Sequence, residues 1–240
     1  MLYTSKEINN QLLEIYRNKF LNLTPKLNRY NESASFNKKA TNPFLLKVTE
    51  NYLDFKNRIM IFGQETNTWC NECGNNSLFS NNIDKSIEVY KEFYLDGGIN
   101  HYRGPFWNEF KRIKKTVSKS NNSVIIWNNI NKIGRIGKGN VLAINEIQFE
   151  YFNVIRDEIK LLKPNIVIFL TGHDYDFFIR KNIGNFNQIT IKDNLFELEF
   201  ENDYGVSKFY KTFHPNALYM KGINKQVIPE LIKKVQDACI

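Results

Sequence analysis

Two short segments about 150 residues apart carry the residue types best suited to acid–base chemistry. Gly63-Gln64-Glu65-Thr66-Asn67 follows the apolar run Ile59-Met60-Ile61-Phe62, and His214-Pro215-Asn216-Ala217-Leu218 follows Phe209-Tyr210-Lys211-Thr212-Phe213. Each sets one titratable side chain, Glu65 or His214, just past a predicted strand. In an open α/β sheet the loops beyond the carboxyl ends of the strands form the ligand crevice. A carboxylate and an imidazole delivered there converge on one substrate, as general acid–base catalysis requires.

The elements that must position these groups are written in the hydrophobic pattern. Arg58–Phe62, Ser123–Trp127, Asn165–Leu170 and Lys208–Phe213 are short apolar runs suited to central strands. Helices are signalled by Asp84 ahead of Ile87, by Pro105 ahead of Phe106 and Phe110, and by Asn145 ahead of a helix reaching Leu162. Right-handed crossovers then predict a three-layer α/β/α fold around a mostly parallel four-stranded sheet. Leu195–Phe200 and Lys208–Phe213 flank a turn at Glu201-Asn202-Asp203-Tyr204-Gly205, so a hairpin is expected to make the sheet mixed. Ile8, Leu12, Ile15, Tyr16 and Phe20 predict an N-terminal helix, Asn22 to Asn42 reads as a surface loop, and Pro43 as the start of a second helix to about Phe55. A last helix is expected from about Lys225. The whole chain, 1–240, reads as one domain, with 1–57 a helical extension packed on the same core.

The 240 residues, 42% of them hydrophobic, suffice for a full core, and no apolar run nears the roughly 18 residues that span a bilayer. The first residues lack a signal-peptide pattern, so a soluble, cytoplasmic protein without a membrane partner is expected. The net charge of +8 suits a polyanionic partner as well as it suits a lysine-rich surface. Cys70, Cys73 and Cys239 are too few for a disulfide framework or a four-ligand zinc site, so free thiols and no metal are expected.

Taken with their order and strand context, Gly63-Gln64-Glu65, Ile125-Ile126-Trp127-Asn128, Lys163-Pro164-Asn165 through Thr171-Gly172, and His214-Pro215-Asn216-Ala217-Leu218 resemble the motifs of the uracil-DNA glycosylase superfamily. The resemblance spans about Arg58 to Lys221 and implies that fold. It implies catalytic roles for Glu65, orienting water at the sugar C1′, and for His214, donating to the pyrimidine oxygen where charge develops. It places Gln64 and Asn67 beside the base, Phe79 as a stacking platform and Asn128 as the amide that reads the base edge, with Asn129 the competitor because alternation lets only one face the pocket. It makes Leu218 the wedge that fills the gap left by a flipped nucleotide, with Tyr219, Met220 and Lys221 beside it. From the residues themselves, Lys132, Arg135 and Lys138 in a glycine-punctuated stretch are candidate phosphate contacts.

The pattern is not followed throughout. Uracil-specific members carry aspartate, proline and tyrosine where this chain has Glu65, Thr66 and Asn67, so a larger or hydrogen-bonding 5-substituent is admitted by the expectation. The reading is therefore a cofactor-free, monomeric, monofunctional glycosylase acting on uracil or a modified pyrimidine in single- or double-stranded DNA. It would serve base-excision repair or defence against phage with modified DNA. A non-catalytic nucleic-acid-binding protein of the same fold and an α/β enzyme acting on free nucleosides are the alternatives.

Overall fold

The computed structural model describes residues 4–70, 73, 78–120, 122–201 and 203–239. Helix α1 (Ser5–Ser33) opens on a capping box: Thr4 accepts from the Glu7 N–H at 3.2 Å, and the Glu7 carboxylate accepts from the Thr4 N–H at 2.7 Å. It runs through Pro25 and buries Leu23 and Leu27, so the loop expected from Asn22 is helix over its first half. Strand β1 (Ala40–Pro43) follows, and Pro43 ends a strand instead of opening a helix. At the sheet edge its missing N–H costs no internal pairing.

Strand β2 (Asn57–Asn67) leads through α2 (Ile83–Tyr90), a π-helical turn at Lys91–Leu95, and α3 (Pro105–Ser120) to β3 (Ser123–Arg135). Helices α4 (Leu142–Tyr151) and α5 (Ile155–Leu162) divide what the periodicity joined into one helix. Then come β4 (Ile166–Leu170), α6 (Asp176–Asn182), β5 (Phe186–Lys192), β6 (Leu195–Phe200), β7 (Lys208–Thr212), α7 (Pro215–Met220) and α8 (Asn224–Ala238). Asn202, within the expected turn before β7, lies outside the described residues.

Among the described residues the sheet has seven strands in the order β1-β3-β2-β4-β7-β6-β5, not the expected four. Its centre, β3-β2-β4-β7, is parallel throughout and consists of the four runs read from sequence. Antiparallel β1 extends one edge, and β6 with β5 the other, so the sheet is mixed. Both faces are covered, as strand alternation demands of buried parallel strands. Trp127 packs against Tyr90, Phe93 and Trp107 on one face, while its neighbour Asn128 meets Glu158 of α5 on the other. Outside α5 lies α1, whose Tyr16 hydroxyl donates to Glu158 at 2.8 Å. The N-terminal helix thus packs on the common core. No helix among the described residues is long and apolar enough to cross a membrane.

The long strands correct one assumption about the motifs. Gly63 to Asn67 and Asn128 to Arg135 are paired strand, not loop, with Gly63 opposite Asn129 and Glu65 opposite Asn131. Gly134 makes this possible: a β-carbon there would stand 2.2 Å from the Thr66 carbonyl oxygen. Cys70 and Cys73, expected as free thiols, are joined in a disulfide. Cys70 has a φ of +63°, the Cys73 N–H donates to the Cys70 carbonyl at 3.1 Å, and the two α-carbons stand 5.3 Å apart.

Candidate active site

A cleft of about 720 Å³ opens where the ends of β2 and β3 meet the start of α3 and the Phe213–His214 turn. Gln64, Glu65, Asn67, Lys138 and His214 all line it. Gln64 is tied to the end of β4 through its amide, which donates to the Thr171 carbonyl at 2.8 Å. Asn67 is exposed at the end of β2, and Lys138 is exposed on the opposite lip.

Glu65 is half-buried, and its carboxylate accepts from the Tyr175 hydroxyl. Burial pushes its carboxyl above the ordinary carboxylate value, against the opposing pull of the Tyr175 hydrogen bond and the Arg135 charge. Such a carboxylate is a better base than a solvated one. Burial and the Glu65 charge raise the Tyr175 phenol, so its proton stays in place as a donor.

His214 is lowered from 6.5 to about 4 by burial and is therefore neutral at pH 7. Its Nδ1 accepts from the Asn216 N–H at 3.2 Å, so a neutral ring carries its proton on Nε2. Phe106 lies nearly parallel to the imidazole, at 5.4 Å between centroids and 13° between planes. That contact fixes the ring plane and supplies the apolar surroundings that keep it uncharged.

Of the two adjacent amides, Asn129 enters the cleft and Asn128 does not. Asn128 is wholly buried on the opposite face, donating to Glu158 at 2.8 Å and accepting from Lys132 Nζ at 2.8 Å. The base-reading role expected of Asn128 fails on geometry, because both ends of its amide are in use. Asn129 is 2% exposed with an Nδ2 that has no partner. An unsatisfied buried donor at a cleft wall is open to a partner from the cleft, a ligand or a water. Its position depends on Gly63: a β-carbon there would lie 2.6 Å from Asn129 Oδ1 and 3.1 Å from the Phe106 ring.

Other expectations are corrected by burial. Phe79 packs against Phe20 of α1, at 5.9 Å, as part of the core outside the cleft. The aromatic residues that do line the cleft are Trp69, Phe93, Tyr102, Phe106, Trp107 and Trp127. Lys132 is wholly buried and ion-paired with Glu158 at 2.8 Å, with burial lowering its ammonium, so it meets no phosphate. Leu218 is 0% exposed, so it is no wedge; Met220, two residues on, is 89% exposed at the end of α7. Helical spacing accounts for the exchange, since Leu218 sits on the face of α7 turned to the core. Arg135 spends its guanidinium on the carbonyls of Asn37 and Ile136, at 2.7 and 3.1 Å, and acts on the site through its charge at Glu65. Lys221 is exposed just past α7, its ammonium 4.1 Å above the Phe213 ring.

Tyr175 and Phe106 are the functional candidates that local sequence reading passed over, and Asn129, the competitor there, is the amide that lines the cleft. Pairing Gly63 with Asn129 by strand alternation would have selected Asn129. Tyr175 follows the end of β4, where topology brings residues to the crevice. Nothing local marks Phe106. No protein-family model matches the chain, and no curated protein matches it in sequence.

Proposed function

We propose that this protein is a monofunctional DNA glycosylase of the uracil-DNA glycosylase type, which flips uracil or a modified pyrimidine into the cleft and hydrolyses its glycosidic bond. The observation that carries the reading is the convergence of a half-buried carboxylate, a neutral imidazole bearing an Nε2 proton and an unpartnered amide on one cleft. Cleavage builds positive charge on the sugar and negative charge on the departing base. Glu65 faces the first need, orienting water toward C1′ and stabilising the cation. His214 faces the second: a neutral donor stabilises a developing oxyanion without bringing a full charge into a dry site. Asn129 reads the base edge, its amide offering a donor and an acceptor at once. Phe106 provides an aromatic wall.

The parallel order β3-β2-β4-β7 supports the fold assignment, since it puts the ends of all four motif-bearing strands at one rim. Exposed Met220 is suited to fill the gap left by the flipped nucleotide, and Lys138, Lys221 and Arg103 to hold the flanking phosphates. Small, exposed Asn67 leaves room for a 5-substituent.

The test is excision from oligonucleotides carrying uracil, mismatched thymine, or 5-hydroxymethylated or glucosylated cytosine, scored as abasic sites by alkaline strand cleavage. Cleavage of one of these by the parent, lost in Glu65→Gln and His214→Ala, is the expected result. Salt-dependent DNA binding with no excision would favour a binding module, and turnover of free nucleosides alone would favour a nucleoside enzyme.

A further inference from the structure

The Glu65 carboxylate is held by a side-chain chain that no motif announced. Asn140 Nδ2 donates to the Tyr175 hydroxyl oxygen at 3.3 Å, and that hydroxyl in turn donates to Glu65 Oε2. The three residues come from different elements: Glu65 from the end of β2, Tyr175 from the turn after β4, and Asn140 from the segment between β3 and α4. Tyr175 is buried and its ring packs on Phe178 at 5.1 Å, so the hydroxyl has a fixed direction. Asn140 stands two residues after Lys138 and one after Gly139, both on the cleft lip.

We infer that Tyr175 is a positioning residue for the Glu65 carboxylate and that Asn140 supports it, together tying the carboxylate to the segment that lines the lip. The inference rests on the glycosylase reading for its consequence, but the arrangement itself is independent of the substrate. A carboxylate with two free rotamers would present the wrong oxygen to water much of the time. One oxygen bound to Tyr175 leaves the other, on a residue that lines the cleft, to take up a partner there. Donation to a carboxylate also favours its charged form, so the phenol opposes the upward pull of burial on Glu65. Asn140, donating to the phenol oxygen, polarises the O–H and strengthens that bond.

The sign of the effect separates positioning from a merely structural role. In Tyr175→Phe the ring keeps its packing and the carboxylate loses its donor. The Glu65 pKa, followed by carbon NMR of the carboxyl in the parent and the variant, is expected to rise. Asn140→Ala is expected to raise it less. In excision assays Tyr175→Phe should lower kcat about tenfold with KM unchanged, and move the acid limb of the pH profile upward. An unmoved or lowered Glu65 pKa would overturn the inference even if the parent excises bases. A raised pKa in a parent that excises nothing would uphold the arrangement and sink the glycosylase reading. A Tyr175→Phe protein that fails to fold leaves Asn140→Ala, which removes only an exposed side chain, to give the same readings, and an unmoved pKa there counts against the proposal.

Discussion

Asn128 and Asn129 are neighbours on one strand with the same side chain, and they belong to opposite kinds of chemistry. On the Asn128 face, Glu158, Lys132, Asn128 and Tyr16 form a closed cluster: the carboxylate accepts from Lys132, Asn128 and Tyr16, each at 2.8 Å, and the Tyr16 oxygen accepts from the Leu46 N–H at 3.0 Å. On the Asn129 face an amide nitrogen stays unpaired beside a carboxylate and an imidazole whose pKa values are displaced by burial. A polar group satisfied on every side specifies structure; one left wanting at a cleft is poised for a ligand. The pleat of β3 alone separates the two.

The largest effect expected from breaking this contrast is on the closed face. Glu158→Ala leaves the buried Lys132 ammonium without its counter-charge, which costs about 3–5 kcal/mol. Thermal melting should show a fall on the order of 10 °C. On the open face the trade is reversed. Glu65→Gln removes a half-buried charge while still offering the Tyr175 hydroxyl a carbonyl to bind, so melting should stay level or rise while excision falls by about 10³-fold. A loss of stability in that variant would put Glu65 on the structural side.

The paired amides sharpen the contrast directly. Asn129→Ala should lower kcat/KM by about 10²-fold with little change in melting. Asn128→Ala should cost about 1–3 kcal/mol of stability, because it strands Glu158 and Lys132 partners, and leave turnover per folded molecule near the parent's. Equal effects in the two variants would dissolve the distinction.

Much of the core was legible because parallel strands buried on both faces must be apolar runs, and the four central strands are those runs. β1 and β5 escaped notice for the same reason inverted: Ala40-Thr41-Asn42-Pro43 is too short and polar to register, and β5 exposes Asn187 through Thr190. The helical reach of α1 past Leu21 was hidden by Pro25, which removes one N–H without breaking the apolar spacing of Leu23 and Leu27. Within the site, Glu65 and His214 were found because each ends a strand motif. Asn129 and Tyr175 depend on which face a strand turns and on which turn folds back, and neither is fixed by local sequence.

The smallest net effect expected is on pH-dependent stability, because two groups of the cleft pull it in opposite directions. The folded pKa of His214, about 4, lies below the unfolded value of 6.5, so the unfolded chain takes up a proton first. The stability this represents is present above pH 6.5 and is lost as pH falls toward 4, at most about 3 kcal/mol. Glu65, raised by burial, works in the opposite sense, since its protonation on acidification relieves a folded-state cost. Melting curves between pH 7 and 4 should therefore be flatter in His214→Gln than in the parent, and steeper in Glu65→Gln.

Because β2 stays hydrogen-bonded to β3 past Phe62, the Glu65 carboxylate is mounted on ladder and not on loop. The opposite wall is built differently: Tyr102 and Arg103 lie between Gly97 and Gly104, both with positive φ, in the connection before α3. Amide protons along Glu65 should exchange with solvent only through opening of the sheet, whereas those around Tyr102 can exchange through local opening. The two walls of the cleft thus differ in backbone support, ladder under Glu65 and a connecting segment under Tyr102.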